Sequence, residues 1–73
     1  MKYGVFTVRD CVTSKTDLVL FRNDAEALRA MLNLSEDEST LIHKNPDDYQ
    51  LCRLGYLDEE TNSITLCEKE VLW

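Results

Sequence analysis

Few side chains in this 73-residue sequence could carry out catalysis or bind a metal: three cysteines, one histidine and a number of carboxylates. The cysteines, Cys11, Cys52 and Cys67, are odd in number and form no CxxC pair. Together with His43 they reach the four ligands of a zinc ion, but their spacing matches no zinc-finger pattern. We therefore predict no metal site, with Cys52 and Cys67 as small apolar strand residues and Cys11 as a loop thiol.

Two acidic segments could in principle supply carboxylates for acid–base catalysis or for a metal ion. Asp47 and Asp48 follow an Asn-Pro pair, and the acids at 58–60 follow an apolar run. Both positions are typical of turns, where acids serve the backbone. His43 has no glycine-rich elbow near it, and the sequence contains neither a GxGxxG nor a P-loop pattern. We predict that the protein is not an enzyme and needs no cofactor.

Arginines and tyrosines could instead bind nucleic acid, because guanidinium groups contact phosphates and tyrosine rings stack on unpaired bases. The candidate contacts are Arg9, Arg22, Arg29, Arg53, Tyr3 and Tyr49. The net charge of −6, from 8 basic and 14 acidic residues, disfavours non-specific binding to a polyanion. The alternative for each arginine is an ion pair with one of the many acids.

The acids are concentrated in the second half of the chain. Residues 35–73 hold ten of the fourteen acids but only three of the eight basic residues. Eight of these ten acids fall in three predicted loops, at 36–38, 47–48 and 58–60. The predicted strands are therefore less acidic than the chain as a whole.

The first third of the sequence predicts a hairpin and a helix. Residues 3–9 alternate and are rich in β-branched and aromatic side chains, and residues 17–22 form a second apolar run. The turn between them is long for a hairpin, so it does not define the register. Asn23 with Glu26 three residues later predicts a capped helix, whose apolar residues recur with a helical period through Leu34.

The remaining sequence predicts a second hairpin. Residues 40–43 fit a short strand or a turn, and residues 45–48 fit a turn. Residues 49–57 and 63–67 fit paired strands, and Gly55 within the first of them predicts a bulge with positive φ or a close approach of backbones. The apolar tail at 71–73 is expected to dock against the rest of the protein.

The fold prediction is a single α+β domain over residues 1–73, with a two-layer β-β-α-β-β antiparallel sheet and one short helix on one face. The residues predicted to face the helix are Phe6, Val8, Leu18, Leu20, Cys52, Leu54, Ile64 and Leu66. The opposite face is predicted to hold Tyr3, Val5, Val19, Phe21 and Leu51, interleaved with Arg9, Arg53, Thr7 and Thr65.

A sheet face exposed to water should be polar, and the predicted second face is not. We therefore predict self-association through this face or a sheet edge, as a twofold dimer. The alternative is a curled sheet whose second face is covered by the tail and the loops.

No segment approaches the roughly 20 apolar residues of a membrane helix. The first ten residues also lack the apolar run of a signal peptide. We therefore expect a protein that remains in a cytoplasm and has no membrane partner.

Three segments together resemble one known family. The most specific is residues 45–58 followed by Thr61, which is similar to a Pro-acid-Asp-aromatic-x-Leu-x-Arg-Leu-Gly-x-x-Asp signature. Residues 2–10 and the capped helix at 21–29 are similar to corresponding parts of the same family. The resemblance spans residues 2–67 and is to the small nonstructural protein of gokushovirus-type microviruses, phages with single-stranded DNA genomes.

This resemblance implies a non-virion protein in the host cytoplasm that binds DNA at the switch from duplex replication to single-strand synthesis and packaging. In that role the four arginines would contact phosphates, and Tyr3 or Tyr49 would stack on bases. The alternative function is a homodimeric module that binds a phage or host replication or capsid protein without binding DNA. Its acidic loops would then face a basic partner.

Overall fold

Four antiparallel strands form one sheet, and helices cover one of its sides, in a computed structural model that describes residues 2–73. The strands are β1 Lys2–Asp10, β2 Thr16–Phe21, β3 Tyr49–Asp58 and β4 Ser63–Val71, in the order β2-β1-β3-β4. The helices are α1 Asp24–Glu36 and α2 Leu41–Lys44, and a 3₁₀ turn spans Pro46–Asp48. The predicted α+β fold with one short main helix on a four-stranded antiparallel sheet is confirmed.

Helix α1 begins where its capping residues predict. The Asn23 side chain accepts a hydrogen bond from the Glu26 backbone N–H at 2.8 Å. The Glu26 carboxylate in turn accepts one from the Arg22 backbone N–H at 3.3 Å, so both ends of the local motif are satisfied. The helix buries Ala27 and Met31 against the sheet and ends at Asp37, whose backbone is extended.

The segment at 40–43, predicted to be a strand or a turn, is instead the start of the short helix α2. The Thr40 hydroxyl accepts a hydrogen bond from the His43 backbone N–H at 3.1 Å, which is the signature of an N-cap. Ile42 is buried in the core and anchors this turn. The physical reason for the difference is that Thr40 caps the segment as a helix while Ile42 alone supplies its apolar contact.

The core lies between the helices and one side of the sheet. Its buried members are Phe6, Ala27, Met31, Ile42 and Leu51. Partly buried residues pack around them, namely Val8, Phe21, Leu28, Tyr49, Leu72 and Trp73. The Phe6 and Phe21 rings meet edge to face with their centroids 5.6 Å apart, a favoured aromatic geometry that joins β1 to β2.

The last strand is longer than predicted, and the tail docks on the side of the sheet that the helices cover. Strand β4 runs to Val71 rather than ending at Cys67. The Leu72 backbone N–H donates to the Leu51 carbonyl at 2.7 Å, and the Trp73 indole N–H donates to the Pro46 carbonyl at 3.4 Å. The tail therefore does not cover the opposite face of the sheet.

The predicted faces were right for β1 and wrong for most of the other strands. Phe6 faces the helices and pairs with Val19 and Arg53, and Val8 pairs with Leu51. Directly paired residues share a face, so the residues that turn out to face the helices are Val19, Phe21, Leu51, Arg53 and Thr65. Those that turn out to face away are Leu18, Leu20, Cys52, Ile64 and Leu66. A one-residue error in register inverts a whole strand, and the long turn left that register undefined.

Gly55 lies next to a bulge, as predicted, but its backbone conformation is not the predicted one. Val5 pairs with Gly55 while Phe6 pairs with Arg53, so Leu54 is the extra residue of the bulge. No glycine in the described part of the chain has positive φ. The requirement for glycine is the close approach of backbones, which was also predicted: the Leu66 Cα of β4 would lie 3.0 Å from a Cβ at position 55.

Candidate functional site

The side of the sheet that faces away from the helices, here called the open face, is largely apolar. Five of its aliphatic side chains are strongly exposed to solvent: Leu18 (69%), Leu20 (46%), Ile64 (57%), Leu66 (76%) and Val71 (51%). They come from both edge strands, β2 and β4. Such a cluster is unusual for a surface in water and is typical of an interface.

The centre of the open face is apolar as well. Val5 of β1 and Cys52 of β3 are each only 4% exposed. Val5 is directly opposite Leu20 and Gly55, and Cys52 is directly opposite Thr7 and Val71. The exposed aliphatic residues on the edges and the shielded residues in the middle form one continuous apolar surface across four strands.

The carboxylates of β1, β2 and β3 all take positions on the helix side of the sheet. Asp10 pairs with Tyr49, Asp17 pairs with Val8, and Asp58 pairs with Lys2. The only charged side chain that these three strands place on the open face is Arg9. The fold therefore keeps the carboxylates of these three strands away from the open face.

Three of the four candidate arginines are exposed and available. Arg9 and Arg22 lie near opposite ends of β2, because Arg9 pairs with Thr16 and Arg22 follows Phe21. Arg29 lies on the surface of α1. Within residues 2–73 none of the three takes part in an ion pair, although a weak contact of 3.5 Å links the Arg9 guanidinium to the Ser14 hydroxyl.

Arg53 is the exception, since it links three elements of the fold. Its guanidinium forms ion pairs with Asp24 at the start of α1 and with Glu70 of β4, and the Tyr56 ring centroid lies 5.6 Å away. Its side chain is only 14% exposed. Hydrogen bonding to Asp24 raises the pKa of Arg53 above its ordinary value, so the guanidinium stays charged. While these ion pairs are formed, it is not available to a phosphate.

The two candidate tyrosines lie on opposite sides of the sheet. Tyr3 is half-buried on the open face and pairs with Leu57. Tyr49 packs against the core on the helix side. Desolvation raises the pKa of Tyr49, and the negative charge of the nearby Asp10 carboxylate raises it further. Tyr3 is thus the tyrosine that shares a surface with Arg9.

The cysteines and the histidine do not assemble into a site. The three thiols are free, with Cys11 and Cys67 exposed and Cys52 buried. His43 Nδ1 lies 2.8 Å from the Ser35 carbonyl and links α2 to α1. Across residues 2–73 there is no group of three or more His, Cys, Asp or Glu side chains that could hold a metal ion.

A cleft of about 360 Å³ lies at the N-terminus of α1, between the helix and the sheet. Arg22, Asp24, Arg53 and Tyr56 line it. Asp24 is paired with Arg53 there, and Glu26 adds a second carboxylate to the first turn of the helix. These acids offset the positive end of the helix, so the cleft is not suited to a free anion.

Within the described residues, no helix is both long and apolar enough to cross a membrane.

The fold is thus a small antiparallel sheet with helices on one side and a largely apolar open face on the other. Residues 3–72 match the family model described as Phage ORF5 protein, and the chain belongs to this family of phage proteins. The match spans nearly the whole chain and confirms the phage origin that the resemblance implied. No curated protein and no solved structure matched the chain.

The sequence analysis missed the residues that form the apolar part of this site, since it placed Leu18, Leu20, Ile64 and Leu66 against the helix. Val71 was assigned to a docked tail. No local signal in β2 separates the two faces, because Val19 and Phe21 alternate with Leu18 and Leu20 and both sets are large and apolar. Only the pairing with β1 decides which set faces water.

Proposed function

We propose that this phage protein is a non-virion accessory protein that binds single-stranded DNA in the host cytoplasm, at the switch from genome replication to single-strand synthesis and packaging. The observation that carries the proposal is the distribution of charge in the fold. Arg9, Arg22 and Arg29 are exposed and unpaired within the described residues, and Arg9 lies on the open face, opposite to the acids of β1–β3.

A net charge of −6 does not by itself prevent such binding. Charges in solution are screened over about 8 Å at physiological ionic strength, so a phosphate responds mainly to the groups near it. Arg9 lies on a part of the sheet surface without carboxylates, with Tyr3 on the same face. Arg9 would contact phosphate and Tyr3 would stack on a base.

Arg22 and Arg29 extend the cationic surface toward α1. Arg22 precedes the Asn23 cap of α1, and Arg29 is an exposed residue within the helix. Arg53 and Tyr49 take a supporting role in this arrangement, because they fix α1 and the start of β3.

The first prediction concerns the salt dependence of DNA binding, measured by fluorescence anisotropy of a labelled single-stranded oligonucleotide. We expect micromolar affinity at low salt that weakens as salt rises, with a slope of about 0.7 log units per phosphate contact. Arg9→Gln, Arg22→Gln and Arg29→Gln should each flatten this slope by about that amount.

Lys44→Gln is the matched control, since it removes the same charge from an exposed residue of α2. It should leave the slope unchanged. Absence of binding at low salt would contradict the proposal. An equal effect of all four substitutions would also contradict it, because it would show that only total charge matters.

A second candidate function is favoured by the exposed aliphatic residues of the open face. These side chains suit a protein surface better than a phosphate backbone. On this account the protein would bind a phage or host replication or capsid protein, and the acidic loops would attract a basic partner. Recovery of a phage protein from infected cells after nuclease treatment, by a variant that does not bind DNA, would favour this function over the first.

A further inference from the structure

The open face is too apolar to remain in contact with water. A single chain exposes Leu66, Leu18 and Ile64 by more than half of their surface, on both edges of one sheet. Monomeric proteins rarely expose continuous apolar patches larger than a few hundred Å². Some other surface must therefore cover this one when the protein is in solution.

We propose that a second copy of the same chain covers the open face, so that two sheets pack against each other across a twofold axis. The result is a four-layer dimer, with helices outside and two sheets inside. Sheets pack in this way at a separation of about 10 Å, with their strands rotated by about 30°. This proposal does not depend on DNA binding.

The distribution of charge favours a second copy over a different partner. A twofold contact places the same surface on both sides, so like charges near the axis oppose each other. With 14 acids and a net charge of −6, most surfaces of this chain would bring carboxylates together. The β1–β3 part of the open face avoids this, since Arg9 is the only charged residue that these strands place there and it lies near one end of β1; in β4, Glu70 pairs with Arg53 on the helix side.

The size of the face also fits a dimer. The two larger dimensions of the chain are 40 and 21 Å, which limit the outline of its sheet side to roughly 800 Å². A standard stable interface buries about 800 Å² on each partner. The third dimension is 15 Å, which corresponds to one sheet and one helical layer.

The tail is not available to cover the open face from within the same chain. Leu72 and Trp73 pack against the core on the helix side, where both bond to the chain near Leu51 and Pro46. The turn between β1 and β2 does not cover the β2 edge of the open face either, because Leu18 stays 69% exposed.

The test is the mass of the purified protein by light scattering at micromolar concentration, compared with variants. We expect twice the single-chain mass of 8.5 kDa for the unmodified protein. Leu66→Lys and Leu18→Lys should each lower the mass twofold. Both side chains are at least 69% exposed in a single chain, so lysine should be tolerated in the folded monomer, which circular dichroism would verify.

Leu41→Lys and Val12→Lys are the matched controls. Their side chains are 62% and 72% exposed, but they lie on α2 and in the β1–β2 turn, away from the open face. Both controls should keep the mass of two chains. A single-chain mass for the unmodified protein would overturn the proposal, and so would a two-chain mass for both Leu66→Lys and Leu18→Lys, which would indicate pairing at a sheet edge.

Discussion

Replacing Gly55 with alanine should lower the melting temperature by roughly 10–20 °C, corresponding to about 2–3 kcal/mol of lost stability. A Cβ atom at this position would collide with the Thr65 carbonyl oxygen and would lie 3.0 Å from the Leu66 Cα. Both neighbours are backbone atoms of β4, which cannot move aside as a side chain would. The pairing of β3 with β4 would have to open at the point where the bulge at Leu54 already disturbs it.

Whether Gly55→Ala lowers or raises the melting temperature, as measured by thermal unfolding, tells whether the two backbones approach closely at this position. In an unconstrained strand, alanine should be more stable than glycine by roughly 0.5–1 kcal/mol, because glycine loses more backbone entropy on folding. Thr65→Ala is a suitable control, since it alters the paired strand without adding an atom near the contact. A melting temperature of Gly55→Ala equal to or above that of the unmodified protein would contradict the close approach.

The second large effect concerns Arg53 and its two carboxylates. Removing both carboxylates, with Asp24→Asn and Glu70→Gln together, should lower the melting temperature on the order of 10 °C. Arg53→Met should lower it by less than half as much. The reason is a difference in exposure: the Arg53 side chain is 14% exposed, whereas Asp24 and Glu70 are 41% and 56% exposed. Water can solvate the freed carboxylates but not the freed guanidinium.

The surroundings of Arg53 offer few hydrogen bonds that could replace the lost ion pairs, since its buried Nε already lacks a hydrogen-bond partner within the described residues. Glu36→Gln with Glu68→Gln is the matched control, because it makes the same change in net charge at two exposed positions. The control should be neutral or slightly stabilising. Equal destabilisation by Arg53→Met and by the double carboxylate variant would show that the unpaired guanidinium costs no more than the unpaired carboxylates, which would contradict this explanation.

The elements that the sequence predicted well are those defined by neighbouring residues. The Asn23–Glu26 cap acts over three residues, and it places the start of α1 correctly. The alternation of side chains in residues 3–9 has a period of two residues, and it assigns the faces of β1 correctly. The order of strands and helix follows from such signals, because each one can be read without knowing what lies elsewhere in the fold.

The faces of β2, β3 and β4 depend on distant residues and could not be predicted in the same way. Leu18 and Val19 are both apolar, so the sequence pattern of β2 permits either face. Only the pairing of Val19 with Phe6 decides between them. In β3 the bulge at Leu54 changes the alternation midway, and its position is visible only once β1 and β3 are paired.

In the candidate site, too, local features could be predicted from the sequence and contacts between distant residues could not. The sequence identified the arginines as the cations of the protein, but it could not say which would be used internally. Arg53 is 29 residues from Asp24 and 17 from Glu70, and the sheet brings all three together. Within the described residues the fold brings no ion-pair partner to the other three arginines, so Arg9, Arg22 and Arg29 stay exposed. Availability for a ligand is thus a property of the fold rather than of residue type.

The proposed dimer has a direct consequence for the proposed DNA binding. Two copies would present each exposed arginine twice, so a protein with few cations per chain would offer a larger cationic surface to one DNA strand. Two linked sites bind one strand more tightly than either does alone when the strand can reach both. Arg9 and Tyr3 lie near opposite ends of β1, where both can remain at the rim of the contact between the sheets.

Solvent access to individual methyl groups tests the central claim, that the open face is a covered binding surface, most directly. The measurement is the broadening of methyl NMR signals of the purified protein by a soluble paramagnetic compound. We predict that the Leu18 and Leu66 methyl signals resist broadening while those of Val12 and Leu41 are strongly broadened, although all four side chains are 62–76% exposed in a single chain. Equal broadening of all four would show that the open face is bare in solution and would contradict the account.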